Sequence, residues 1–219
     1  NTMSEAADDP AMVDPEKYAA VADNFVYVHR ALRRDLARII AGGDELFASD
    51  FPRFARILEK HSELEDTLFF PPLEQRAPGS TGASVDQHRQ IEALVATLSG
   101  GNSTDIQSDL AALQQLLLTH LDGEEQQIMP AMMKHFEAAE IWALDGRIME
   151  FCSPEFMQEM MPWWFTHIDA ADRVCVAQNM IAGVPPEFLP ILSQWIASGL
   201  GESEWNQLVG SVPALATTA

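Results

Sequence analysis

Basic side chains are scarce: 13 Lys and Arg stand against 33 Asp and Glu among 219 residues, a formal net charge of −20. A nucleic-acid footprint or an anionic membrane contact needs a basic stripe, so that charge argues against both partners. Its plain reading is solubility, with a raised local activity of cations as a by-product. Cysteine is nearly absent too. Cys152 and Cys175 lie far apart in no CxxC arrangement, which suggests two packed thiols in a reducing compartment. Long apolar runs are missing: the most apolar stretch, 160–168, is interrupted by Pro162 and His167 and falls well short of the ~20 residues a spanning helix needs. The first residues are acidic and lack the plan of a signal peptide, so the expected location is the cytoplasm. Asn1 and Thr2 ahead of Met3 read as a tag scar.

Strand signals are also few, whereas helical periodicity recurs in segment after segment. Residues 15–41 carry Phe25, Val28, Leu32, Leu36 and Ile39 on one face and stop at Gly42-Gly43. A second helix over 50–68 should end before Pro71-Pro72, which cannot continue it. The third spans 84–98, and Thr104 with Gln107 reads as a capping box opening the fourth, which runs toward Ile128 and Pro130. The expected fold is all-α: an up-down-up-down four-helix bundle over 15–136, with a helical annex over 137–210. In the annex, Ser153 should cap a helix that begins at Pro154. Residues 1–14 are expected to be disordered and 211–219 frayed.

The histidines sit on the wrong face for a soluble helix. His29, His61, His88 and His120 each interrupt the inner apolar stripe of one bundle helix, at separations of 32, 27 and 32 residues that suit helical hairpins. Four imidazoles sharing one interior need a common partner, because unpaired buried polar groups are destabilising by a few kcal/mol each. Two of them are followed four residues later by a carboxylate on the same face: His61 by Glu65 and His120 by Glu124. Buried glutamates beside histidines make sense when a multivalent cation supplies the charge. Mixed imidazole and carboxylate donors without thiolate suit iron, manganese or zinc. Six donors from four helices exceed the need of one zinc and fit two metals bridged by carboxylates and an oxo or hydroxo oxygen. Two Fe ions are the first choice, Mn the second. A ferritin-like oxidase needs Glu three residues before His, and none of the six histidines has it.

The segments Val28-His29-Arg30, His61-Ser62-Glu63-Leu64-Glu65, Gln87-His88-Arg89 and His120-Leu121-Asp122-Gly123-Glu124 together resemble the hemerythrin-like, or HHE cation-binding, family over about residues 16–136. The resemblance implies a four-helix bundle around a non-haem di-iron centre that reacts with O2, peroxide or nitric oxide. It also implies a role as an oxidoreductase or as an iron- or oxygen-responsive sensory module. Oxygen carriers of the family have HxxxH on the third helix; here Glu92 stands four residues after His88. Glu92 is thus a third carboxylate ligand, an acceptor behind a ligand, or a residue at the stripe's edge. Glu125 rivals Glu124, although the stripe 113–117–120–124–128 favours Glu124. His167, behind Trp163-Trp164-Phe165, reads as packing for an aromatic plug, with a fifth histidine ligand as the alternative. The annex, with Trp163, Trp164, Trp195 and Trp205, could carry a protein partner.

Overall fold

The protein is described by a computed structural model over residues 13–216, and among these every regular element is helical. The expected disordered N-terminus and its tag scar fall almost wholly outside the described residues. Asp14 lies inside them and caps α1 (Pro15–Asn24), its carboxylate accepting from the Glu16 and Lys17 amides at 2.9 and 3.3 Å. The single long first helix expected from periodicity is instead broken at Phe25, whose ψ of −68° tilts α1 away from α2 (Val26–Ala41).

Gly42-Gly43 turns the chain into α3 (Gly43–Leu64) with no intervening loop. The turn needs both glycines. A Cβ on Gly42 would lie 2.2 Å from Leu46 Cδ1, and Gly43 has a φ of +63°. The helix therefore starts earlier than residue 50.

It also ends later than the prolines suggest. The chain passes through one π-helical turn (Glu65–Phe69) into α4 (Phe70–Arg76). Helices α5 (Gly82–Ser99) and α6 (Ile106–Gly123) follow, and the same thing happens at the end of α6, where a π turn (Glu124–Ile128) leads into α7 (Met129–His135). In both turns an amide reaches five residues back, Phe70 N–H to the Glu65 carbonyl and Met129 N–H to the Glu124 carbonyl. A proline in a regular α-helix lacks a donor and clashes with the carbonyl four residues back; the widened turn ahead of Pro71 and Pro130 relieves both problems. The cap of α6 is Asp105, accepting from the Ser108 amide at 3.0 Å, in place of the expected Thr104.

Helix α2 packs on α3, α3 on α5, α5 on α6 and α6 on α2, which closes a ring of four around the core. Leu32, Leu36, Ile57, Leu58, Leu113 and Leu117 fill it, each stabilising by about 1.5–3 kcal/mol when fully buried. The remaining helices are α8 (Ala138–Asp145), against α1, then α9 (Pro154–Thr166), α10 (Ala170–Gly183), α11 (Leu189–Ser198) and α12 (Glu202–Ser211). Ser153 opens α9 as expected, its hydroxyl accepting from the Phe156 amide at 3.1 Å.

One hydrophobic cluster runs without interruption from Val28 and Leu32 to Trp163, Phe165, Ile196 and Leu215. Leu215 is fully buried in a final 3-10 turn (Pro213–Ala216), so residues 211–216 are folded rather than frayed. Cys152 is buried but Cys175 is exposed, against the expectation of two packed thiols. No helix among the described residues is long and apolar enough to cross a membrane.

Candidate metal centre

All six residues singled out in the sequence meet at one level of the ring, buried to 7% exposure or less. α2 brings His29, α3 brings His61, α5 brings His88 and α6 brings His120, while Glu65 and Glu124 open the two π turns. Each histidine turns Nε2 inward. His61 Nε2 lies 3.0 Å from Glu65 Oε1 and 3.2 Å from His29 Nε2. Across the core, His88 Nε2 lies 3.0 Å from Glu65 Oε2, and His120 Nε2 lies 3.2 Å from Glu124 Oε1. Glu124 Oε2 faces His29 at 3.3 Å.

Each glutamate therefore offers one oxygen to the His29–His61 half and the other to the His88–His120 half. Two sets of potential ligands result: His29, His61, Glu65 and Glu124, and Glu65, His88, His120 and Glu124. Within each set the donor atoms lie within 4.8 Å of one another.

An offset of 59 residues carries His29 onto His88, His61 onto His120, Glu65 onto Glu124 and Pro71 onto Pro130. It is a repeat of chemistry rather than of sequence, visible only when the ligand positions are compared.

The outward ring nitrogens fix the rings. His29 Nδ1–H donates to Glu125 Oε1 at 3.0 Å, His88 Nδ1–H to Asp66 Oδ1 at 2.8 Å and His120 Nδ1–H to Gln87 Oε1 at 3.0 Å. Phe70 stacks on His88, and Phe25 meets His29 edge-on. The Nδ1–H bonds leave Nε2 lone pairs pointing at carboxylate oxygens, a mismatch that a cation resolves. Glu65 Oε1 and both oxygens of Glu124 are buried without a hydrogen-bond donor.

Protons cannot satisfy the cluster evenly. Burial lowers the pKa of His29, but the facing carboxylates of Glu124, Glu125 and Glu65 outweigh it and raise the value to about 10. Burial pushes His120 down to about 3. Glu124 is pushed up to about 8 by burial and by the charge of Glu65. Glu65 moves the other way; burial would raise it, but His61, His29 and His88 hold it well below the usual carboxylate range. Two divalent cations would settle these opposed demands together, so the donor set fits a metal pair.

The rivals resolve differently. Glu125 stays outside the cluster, accepting from His29 and from Arg33 Nη1 at 2.7 Å. Glu92 is exposed on α5 and joins neither set, which removes it both as a ligand and as an acceptor behind one. His167 is no fifth ligand. Its Nδ1–H donates to the Trp163 carbonyl at 2.7 Å, and its Nε2 lies 3.2 Å from Asp35 Oδ1, where it pins the annex to α2. Asp35 itself had no sequence signal, because among Arg33, Arg34 and Arg38 it reads as a surface ion-pair partner.

The family model described as the hemerythrin HHE cation binding domain matches residues 20–132. A BRUTUS-like zinc finger protein of Arabidopsis thaliana is 23% identical over 162 residues, which cover 64% of this chain. The matched stretch spans only 13% of that relative's length. No solved structure shows a significant match. The family match takes in all six clustered side chains and more than half of the sequence, so the chain belongs to the hemerythrin HHE cation-binding domain family.

Proposed function

We propose that this is a non-haem di-iron protein that reacts with O2, peroxide or nitric oxide at its His/carboxylate-bridged site, in the cytoplasm. Iron is preferred, with manganese as second choice, because imidazole and carboxylate donors without thiolate suit both. The observation that carries the reading is the splitting of Glu65 and Glu124, one oxygen to each half, as two adjacent cations require. His29 and His61 would hold one ion, His88 and His120 the other. On this reading residues 15–136 are the up-down-up-down bundle and 137–210 an annex that shapes its response.

When bound, the metal pair supplies one- and two-electron chemistry toward small oxygen or nitrogen ligands. The protein's own part is to orient the donors and exclude water. Phe25 and Phe70 pack directly on His29 and His88, and Leu68, Phe69 and Ile128 belong to the same buried apolar cluster as those two rings.

A specific observation favours a second reading, an iron- or oxygen-responsive sensory module. Helix α2 carries His29 and also the annex contacts: Arg30 Nη1 donates to Asp172 at 2.6 Å and Asp35 accepts from Trp163 Nε1 at 2.7 Å. A shift of α2 on metal loading would reach the annex directly. Trp163 and Trp164 are buried, so a partner surface there would fall to the exposed Phe188 and Ile191 beside the half-buried Trp195 and Trp205.

Iron-loaded protein mixed with peroxide, with O2 evolution and the near-ultraviolet absorption followed together, separates these readings. Turnover that disappears in His61→Ala supports an oxidoreductase. Spectral change without turnover, coupled to altered protease sensitivity of the annex, supports sensing. Absence of any response to O2, peroxide or nitric oxide would refute the reactive di-iron reading.

A further inference from the structure

The 59-residue offset makes the two halves comparable residue by residue, and they differ in what stands behind the imidazoles. Glu125 behind His29 corresponds to Asp66 behind His88. Gln87, which accepts from His120, corresponds to Val28, a buried apolar residue, so His61 Nδ1 has no hydrogen-bond partner among the described residues. Arg33, which binds Glu125, corresponds to the exposed Glu92, so among the described residues no Lys or Arg is paired with Asp66.

These three differences act in one direction. In the His88–His120 half both rings are fixed by acceptors. Asp66 also lends its full negative charge to His88, which makes Nε2 a better donor. In the other half Arg33 draws charge away from Glu125, and the His61 ring is held only on its Nε2 side, by Glu65 and His29, with no acceptor behind Nδ1 among the described residues.

We infer that the two metal positions are inequivalent, with the His88–His120 half binding its ion more tightly and filling first, and that Gln87 is a positioning residue for it. The inference rests on the two-metal reading above. Removing an acceptor behind a metal-bound imidazole typically lowers affinity about 10- to 100-fold, which sets the scale of the gap.

The test is calorimetric titration of the metal-stripped full chain with Zn2+ in the presence of a competing chelator, monitored in parallel by native mass spectrometry. Two resolved steps, about 10- to 100-fold apart, are expected. Gln87→Val, which copies the Val28 environment, should weaken the first step by the same factor and leave the second unchanged. Gln87→Glu, which keeps an acceptor, should restore it. Because Gln87 is only half-buried, the melting temperature of the metal-free variants should stay close to that of the parent, and a structural role would not be rescued by Glu in this selective way. Two equal steps, or a Gln87→Val protein that loses both steps alike, would overturn the inference while leaving the metal pair intact. Failure to bind a second ion would overturn both.

Discussion

Two buried histidine–carboxylate clusters lie along α2, six residues apart, and they have opposite character. At His29 the carboxylate oxygens of Glu65 and Glu124 converge with no donor to satisfy them. At Asp35, equally buried, both carboxylate oxygens have hydrogen-bond donors. Oδ2 accepts from Trp163 Nε1 at 2.7 Å, Oδ1 accepts from Arg38 Nε and Nη2 at 3.0 and 2.7 Å, and His167 Nε2 lies 3.2 Å from Oδ1. The matched cluster is an anchor between bundle and annex. The mismatched one leaves buried acceptors that cations would satisfy. Composition alone does not distinguish them; the count of donors against acceptors does.

The largest effect should come from removing a bridging carboxylate. Glu124→Ala ought to reduce bound metal from two ions to one or none. Each ion lost should also remove its metal-dependent stabilisation, worth about 4 kcal/mol per site when free metal is ~1,000-fold above Kd. Elemental analysis together with melting curves with and without iron reads both. Retention of two ions would break the contrast between the clusters.

Next in size is Asp35→Ala, which strands Trp163 Nε1, His167 and Arg38 in or near the core. Breaking a buried pair of this kind is destabilising by about 3–5 kcal/mol. Urea unfolding should show that loss while iron stoichiometry stays at two; loss of iron as well would mean that the anchor and the site are one unit.

A third cluster sharpens the rule. Asp145 Oδ2 is buried without a partner, as Glu124's oxygens are, but its neighbours are Asn24, which donates to Oδ1, and Asp23, which accepts from Asn179, and among the described residues it joins no potential metal-ligand set. Burial and the nearby Asp23 raise the Asp145 pKa to about 9, so the folded protein keeps this proton while the unfolded chain releases it near the ordinary aspartate value of 3.8. Folded chains then bind more protons over that range, and stability falls as pH rises through it. Asp145→Asn should raise the melting temperature at pH 8 by several degrees and lose that advantage toward pH 4. No gain at pH 8 would show that the proton is not held.

The smallest effect is at the acid end. Burial would raise Asp35, but His167, Trp163 and Arg38 bring it down to about 2. Its stabilisation is therefore complete above pH 4 and lost as pH falls toward 2. The acid limb of a stability profile should be flatter in Asp35→Asn than in the parent across that window.

The six clustered residues were legible because each breaks an apolar stripe, and a stripe is a property of local sequence. The two π turns were not, since Pro71 and Pro130 read as helix stops unless the preceding turn is known to widen. Glu92 shows the limit of face arguments. Four residues after His88 it is rotated by about 40° around α5, and the buried stripe of that helix passes through Ser84, His88, Ile91 and Leu98 instead, so Glu92 faces solvent. Asp35 and His167 are 132 positions apart in the sequence, and only the docking of α9 onto α2 makes them partners. The offset of 59 was present in the spacings 32, 27 and 32, yet its meaning lies in the outer residues that differ between the halves.

The most direct test of the whole account is native mass spectrometry of the full chain after anaerobic titration with ferrous iron. The account predicts a species carrying two iron ions, lost in His61→Ala and Glu124→Ala and retained in Asp35→Ala. A wild-type chain that takes up no iron, or saturates at one ion, would contradict it.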